Sequence, residues 1–277
     1  MPLSILSPCK LNLFLHILGR RADGYHQLQT LFQLLDKGDQ MTFEPTCDRQ
    51  ITLSTPITGI NDKDNLIIRA ANTLQSHTGI DTGANITIDK QLPIGGGIGG
   101  GSSNAATTLV ALNYLWETKL NIDELCAIGL GLGADVPVFI QGRTAWAEGI
   151  GEQLQAIDLP AQWFLVIKPR CQVSTAEVFC HQELTRDSAT ITVAGFFEQG
   201  GRNDCESVVC RLYPEVYKAL YWLKDHSSAR LTGTGACVFA PFSSQEKAEQ
   251  IRQQASLHWE CFIAKGINHS PLTSLLP

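Results

Sequence analysis

From Leu11 to Ile17 every odd position carries leucine or isoleucine, and Asn12, Phe14 and His16 stand between them. Alternation with period two predicts a β-strand, because successive side chains leave the backbone on opposite faces. Lys10 and Asn12 then share the face opposite the leucines. The next run, Gly19 to Gly24 (GRRADG), predicts a turn. Tyr25 and His26 open a further apolar segment, and Gln50 to Ser54 alternates again around Ile51 and Leu53.

The period then changes. Asn65 to Gln75 reads as a helix with Leu66, Ala70 and Leu74 near one face, and Asn85 to Lys90 as a strand. A helix is predicted from about Ser102 to Glu117, with Leu109, Leu112 and Trp116 aligned along it. Asn121 to Glu124 has the form of a capping box opening another helix. Beyond it the pattern predicts a strand at Trp163 to Ile167, one helix from Glu206 to Asp225, a glycine-containing strand and turn from Leu231 to Phe239, a helix at Gln245 to Gln254 and a last strand at Trp259 to Ala264. Strands and helices mix without regular βαβ alternation, which points to an α+β architecture. The composition shifts near 149–162, so the expected division is an N-terminal domain over 1–157 and a C-terminal domain over 158–277.

Composition narrows the classes. With 277 residues, 44% hydrophobic and 17% charged, the chain can bury a substantial core. A net charge of −6 gives no basic footprint for nucleic acid and no polybasic patch for a membrane surface. The nine cysteines are odd in number and contain no CxxC pair, which argues against a disulfide framework and a structural zinc site and favours a reducing, cytoplasmic setting, the bacterial cytosol being expected. The apolar N-terminus has the look of a secretion signal, but Lys10 and Asn12 interrupt it.

The densest chemical signal is LPIGGGIGGGSSNAA, residues 92–106, between a predicted strand and a predicted helix. Gly95 to Gly100 has Walker A spacing, but Gly101 stands where that motif needs lysine. Gly95, Gly97 and Gly100 also satisfy G-x-G-x-x-G, yet the acids about 20 residues on, Asp123 and Glu124, open a helix rather than close a strand. A third reading is a phosphate cradle of another kind, whose glycines turn successive N–H groups toward one anion ahead of a helix N-terminus. A turn serving packing alone remains open on local sequence, although a mere turn needs one or two glycines.

Three motifs in order, Pro8 to Leu13 with Gly24-Tyr25-His26, Leu92 to Ser103, and Leu231 to Ala236 (LTGTGA), resemble those of the GHMP kinases, and Gly133 to Phe139 (GADVPVF) strengthens the match. The resemblance spans residues 5 to about 265. It implies a two-lobed fold with mixed and antiparallel sheets packed on helices, and an active site in the cleft between the lobes. It implies ATP, with Mg²⁺ alongside, and transfer of phosphate to an alcohol. The loop Pro93, Ile94, Gly95, Gly96, Gly97, Ile98, Gly99, Gly100, Gly101, Ser102 and Ser103 would hold the ATP phosphates. Asn65, Leu66 and Lys90 would lie near the nucleoside. Asp135 would be the general base beside Lys10, against the plainer readings of a cap before Pro137 and a lysine at a strand end.

The match is nearest to members acting on a small cytidyl diphosphate alcohol. Tyr25 and Phe179 would then sandwich the cytosine ring, His26 would meet the base edge, and Asn12 and Thr175 would reach the same pocket. Gly233, Thr234 and Gly235 form the third glycine motif, touching ligand or supporting the first loop. Metal ligands are not legible. Other GHMP kinases, acting on homoserine or a mevalonate-type alcohol, and a non-catalytic nucleotide-binding module are the alternatives. Tyr25-His26 speaks against the former, and the presence of both Lys10 and Asp135 against the latter.

Overall fold

The computed structural model describes residues 2–57 and 59–276. Its frame is one long antiparallel hairpin, β1 (Leu3–Arg20) with β2 (His26–Thr46). The predicted alternation at Leu11 to Ile17 is the middle of β1. Both faces are covered there: Leu11, Phe14 and Ile17 are buried, and so are Lys10 and Asn12. The pairing shifts register between Pro8 and Lys10, Asn12 and Leu15, and Ile17 and Gly19. Such shifts bend and coil a ribbon, and the two ends of β1 serve different cores. Ile5 packs in one, and Leu15 and Ile17 in another.

The free edge of β2 is shared by three strands in turn. It pairs with β5 (Ala145–Glu148) at Thr30 to Phe32, with β10 (Glu260–Ile267) at Leu34 and Leu35, and with β4 (Gly83–Asp89) at Gln40 to Thr46. On one side the order continues to β3 (Ile51–Leu53), parallel to β4. On the other side β10 leads to β7 (Trp163–Lys168), then β9 (Val238–Phe242) and β8 (Arg230–Leu231), all antiparallel; β6 (Gln153–Ala156) pairs with β5. The sheet is mixed and the fold α+β, as the sequence pattern predicts.

The first core packs α1 (Leu66–Thr78), α2 (Gly100–Leu115), α3 (Ile122–Leu130) and α4 (Val136–Gln141) on β2 and β4. Asn121 and Glu124 close the predicted capping box of α3. Helix α2 is buried on every side from Ser103 to Asn113, a position open to it because Ala105, Ala106, Thr107, Thr108 and Ala111 let its neighbours approach closely. The second core gathers α7 (Glu206–Leu212), α8 (Pro214–Lys224), α9 (Gln245–Ala255), β7 and β9. Two shorter helices, α5 (Thr175–Cys180) and α6 (Val193–Gln199), lie between β7 and α7. Among the described residues no helix is long and apolar enough to cross a membrane.

Four elements differ from the pattern. The single helix predicted over Glu206 to Asp225 is two, because Pro214 has no N–H to continue the first, and Tyr213 leaves helical geometry at φ −127°, ψ 87°. The strand at Leu231 to Phe239 is divided into β8 and β9 by the glycine turn. The last strand runs to Ile267 rather than Ala264. Helix α2 begins at Gly100, two residues early, with Gly99 at its N-cap.

Candidate active site

The glycine loop is held by its carbonyl groups. Lys10 N–H donates to the Ile98 carbonyl at 3.0 Å and Cys237 N–H to the Gly96 carbonyl at 3.0 Å. Lys10 Nζ donates to the Gly97 carbonyl at 3.2 Å. With the carbonyls turned inward, the N–H groups are left over. Among the described residues none from Gly97 to Ser102 has a hydrogen-bond partner. Free N–H groups at the N-terminus of the 16-residue α2 can donate to an anion.

Two glycines show why this loop needs that residue. Gly97 has φ +73°, and a Cβ there would collide with the Thr232 carbonyl oxygen. Gly99 has φ +75°, and a Cβ would lie 2.7 Å from the Phe139 ring and 3.2 Å from Lys10 Cε. The first contact defines the third motif as well. Its turn packs backbone on backbone against the first loop, and Gly233 and Thr234 also line the cleft.

Lys10 is 2% exposed. Its ammonium has three protons to place and three polar neighbours: Asn12 Oδ1 at 2.6 Å, the Gly97 carbonyl at 3.2 Å and Asp135 Oδ2 at 3.2 Å. Phe32 lies 5.2 Å below it, ring face toward the charge. Asn12 is itself pinned, its Nδ2 donating to Thr30 Oγ1 at 2.9 Å and its N–H to Thr232 Oγ1 at 3.0 Å. Asp135 stands at the N-cap of α4 but makes no capping bond, so its carboxylate is left to Lys10 and the cleft. The carboxylate side chain is 34% exposed against 3% for the lysine. A buried cation beside an accessible carboxylate can orient a hydroxyl and take its proton.

The cleft encloses about 570 Å³. It brings together Lys10, Asn12, Asp135, the loop from Pro93 to Ser102, Asn65, Leu66, Lys90, Thr175, Phe179, Gly233 and Thr234. Asn65 caps α1 by accepting from Ile67 N–H at 2.9 Å, and its Nδ2 is buried with no partner among the described residues. A buried donor left unpaired costs stability unless a ligand atom meets it, which suits a nucleobase acceptor at this wall. Thr175 and Thr234 join hydroxyl to hydroxyl at 2.8 Å, linking α5 to the third motif.

Four sequence-selected residues do not line it. Ser103 is buried, with its hydroxyl 2.8 Å from that of Ser7, and Gly235 lies behind the loop. Tyr25 is 59% exposed, before β2 begins. His26 is buried, and its ring stacks on Phe179 with centroids 4.9 Å apart at 24°. Burial above all, then the cationic Arg186 and Arg20, hold the His26 imidazole below its ordinary pKa.

Asp39, which local pattern did not single out, organises the loop's entry. It is fully buried in β2, accepts from Gln91 N–H at 2.9 Å, Leu92 N–H at 2.8 Å and Asn104 Nδ2 at 2.9 Å, and pairs with Lys90. Lys90 is thereby tied down at the cleft wall. The available signal was an aspartate two residues before the apolar Met41 and Phe43, which needs paired charge or N–H donors if the strand buries it.

Comparison with known proteins shows the family and the fold. Residues 65–143 match the GHMP kinases N terminal domain and residues 193–261 the GHMP kinases C terminal domain. The chain is 52% identical over 285 residues to a 4-diphosphocytidyl-2-C-methyl-D-erythritol kinase of Hahella chejuensis, covering 99% of this chain and 96% of that protein. It is 55% identical over 270 residues to the kinase of the same name from Pseudomonas paraeruginosa, with 98% and 96% covered. A crystal structure of 4-(cytidine 5'-diphospho)-2C-methyl-D-erythritol kinase superposes with a TM-score of 0.85 at 29% identity, over 96% of this chain and all of that one. A homoserine kinase from Cytophaga hutchinsonii shares the fold, with a TM-score of 0.71 at 16% identity over 97% of this chain and 95% of that one. The chain belongs to the 4-diphosphocytidyl-2-C-methyl-D-erythritol kinase family of the GHMP kinases.

Proposed function

We infer that this chain transfers the γ-phosphoryl group of ATP to the 2-hydroxyl of 4-diphosphocytidyl-2-C-methyl-D-erythritol, in the non-mevalonate route to isoprenoid precursors. The observation that carries this reading is the Lys10–Asp135 pair, 3.2 Å apart, beside a loop whose N–H groups from Gly97 to Ser102 have no partner among the described residues. Phosphoryl transfer asks a protein chiefly for positioning and charge stabilisation. The loop supplies fixed donors for the phosphates. As the hydroxyl oxygen bonds to phosphorus, its proton passes to Asp135 and the bond to the leaving ADP breaks. Lys10, held by Asn12, Gly97 and Asp135, keeps the carboxylate aimed and offsets charge on the transferring group.

Mg²⁺ fits as an ion carried in on the ATP phosphates. Among the described residues no group of three or more His, Cys, Asp or Glu is placed to cage a metal, and Mg²⁺ commonly uses one or two protein ligands plus phosphate and water. Ser102, lining the cleft, is the protein group that would hold it. When bound, the ion neutralises charge across the β- and γ-phosphates.

Asn65, Leu66 and Lys90 are assigned to the nucleoside side of the cleft, and Asn12, Thr175, Phe179, His26 and Tyr25 to the cytidyl acceptor. The nine cysteines, free throughout, support a reducing cytoplasmic setting. The test is ADP release by purified protein with ATP–Mg²⁺ and either the cytidyl alcohol or homoserine. Turnover with the first alone is expected; turnover with homoserine and none with the cytidyl alcohol overturns the reading.

A further inference from the structure

Arg186 lies between α5 and α6, outside every motif of the sequence. Its guanidinium makes four hydrogen bonds. Nε donates to His26 Nε2 at 3.1 Å, Nη1 to the Leu184 carbonyl at 3.1 Å, and Nη2 to the carbonyls of Phe179 at 2.8 Å and His181 at 2.9 Å. Among the described residues it has no carboxylate partner: its charge is met by three carbonyl dipoles and one imidazole lone pair.

The bond to His26 has a definite chemical consequence. A guanidinium only donates hydrogen bonds, so Nε2 of His26 must be the bare, accepting nitrogen. The proton of the neutral ring is then on Nδ1. The two charges that face this ring, Arg186 and Arg20, are both cationic, and with burial they oppose a second proton. The same guanidinium fixes the ring's neighbour. Phe179 is held through its carbonyl, its ring stacks on the imidazole, and it lines the cleft.

We propose that Arg186 is a positioning residue for the pyrimidine end of the acceptor site: it locks His26 as the neutral Nδ1–H imidazole flat against Phe179, and so sets affinity for the cytidyl group without taking part in phosphoryl transfer. The proposal rests on the acceptor assigned above. Arg186 reaches His26 across 160 residues of sequence, joining the start of β2 to the end of α5. Lysine cannot replace it, because one ammonium with three protons cannot serve four acceptors in a planar fork.

The experiment combines steady-state kinetics with ¹⁵N NMR of the histidine rings. In the wild type at pH 7, His26 is expected to show a protonated Nδ1 and a bare Nε2. Arg186→Gln, checked for folding by thermal melting, is expected to raise KM for the cytidyl alcohol roughly tenfold, the scale of a lost hydrogen bond to a charged group. Its kcat and KM for ATP should stay within about twofold, and Arg186→Lys should rescue only part of the loss. In a His26→Ala background the Arg186→Gln change should add little. A wild-type imidazole carrying its proton on Nε2 overturns the lock without touching the activity. Equal rises in both KM values, or full additivity with His26→Ala, reduce Arg186 to a structural brace. Turnover of homoserine in place of the cytidyl alcohol overturns the acceptor assignment itself while leaving the ring's protonation to be read independently.

Discussion

Asp135 occupies a position where aspartate usually caps a helix, yet its side chain leaves the N–H groups of α4 alone and turns to Lys10. That geometry suits a proton acceptor better than a helix cap. Asp135→Asn preserves the shape and removes the proton acceptor, so kcat is expected to fall by about 10² to 10⁴ with ATP affinity changed little, as read by steady-state rates and calorimetric titration. Activity within a few-fold of wild type would remove Asp135 from the role of base. Lys10 shows how far a single side chain can be read from sequence. Its place in an alternating strand was legible; that both faces of the strand are covered was not, because burial of the second face depends on Phe139, Asp135 and the loop, all about 90 or more residues away.

The two glycine motifs function as one element. The first loop turns its carbonyls toward β1 and the LTGTGA turn, and this leaves N–H groups for an anion. Gly95 and Gly97 offer a controlled comparison. Both have positive φ, +68° and +73°, but a Cβ on Gly95 meets nothing within 4 Å whereas one on Gly97 meets the Thr232 and Gly235 backbone. Gly95→Ala should therefore cost only the left-handed strain of about 1 kcal/mol. Gly97→Ala adds a backbone clash and should cost about 2 kcal/mol or more, together with a larger rise in KM for ATP. Equal losses in urea unfolding would show that the two motifs are not packed as described. The elements that local pattern missed share a cause. The break at Pro214 is a backbone effect inside a stretch whose apolar spacing continues unbroken, and the 21-residue β2 hides because most of both faces is buried and Asp36 to Gln40 interrupts its apolar run.

Across the molecule, the site is assembled from both cores, and its supports are long-range. Asp39 reaches Lys90 and Asn104 across 51 and 65 residues, and Arg186 reaches His26 across 160. The cleft-lining residues of the glycine motifs were legible because those motifs are local; the groups that hold them depend on topology that no short window contains. Buried histidines also set a pH response. His16, on which burial is the foremost influence, aided by Arg202 and opposed by Asp204, and His26, likewise governed by burial first, are both held below their ordinary value. The unfolded chain takes up protons at these rings below about pH 6.5 while the folded chain resists them. Stability should thus be full above that pH and fall as pH drops from 6.5 toward the lower folded values. The urea midpoint is expected to be lower at pH 5.5 than at pH 7.5, and His26→Gln should flatten the difference; an unchanged or higher midpoint at pH 5.5 would contradict buried neutral rings.

The cleft passes a phosphoryl group to an alcohol rather than to water or to an existing phosphate. ³¹P NMR of the reaction with ATP–Mg²⁺ and the cytidyl alcohol reads this directly. One new phosphomonoester signal is expected, growing in step with ADP while the cytidyl diphosphate signals persist. Growth of inorganic phosphate alone, or of a new anhydride on the diphosphate, would contradict it.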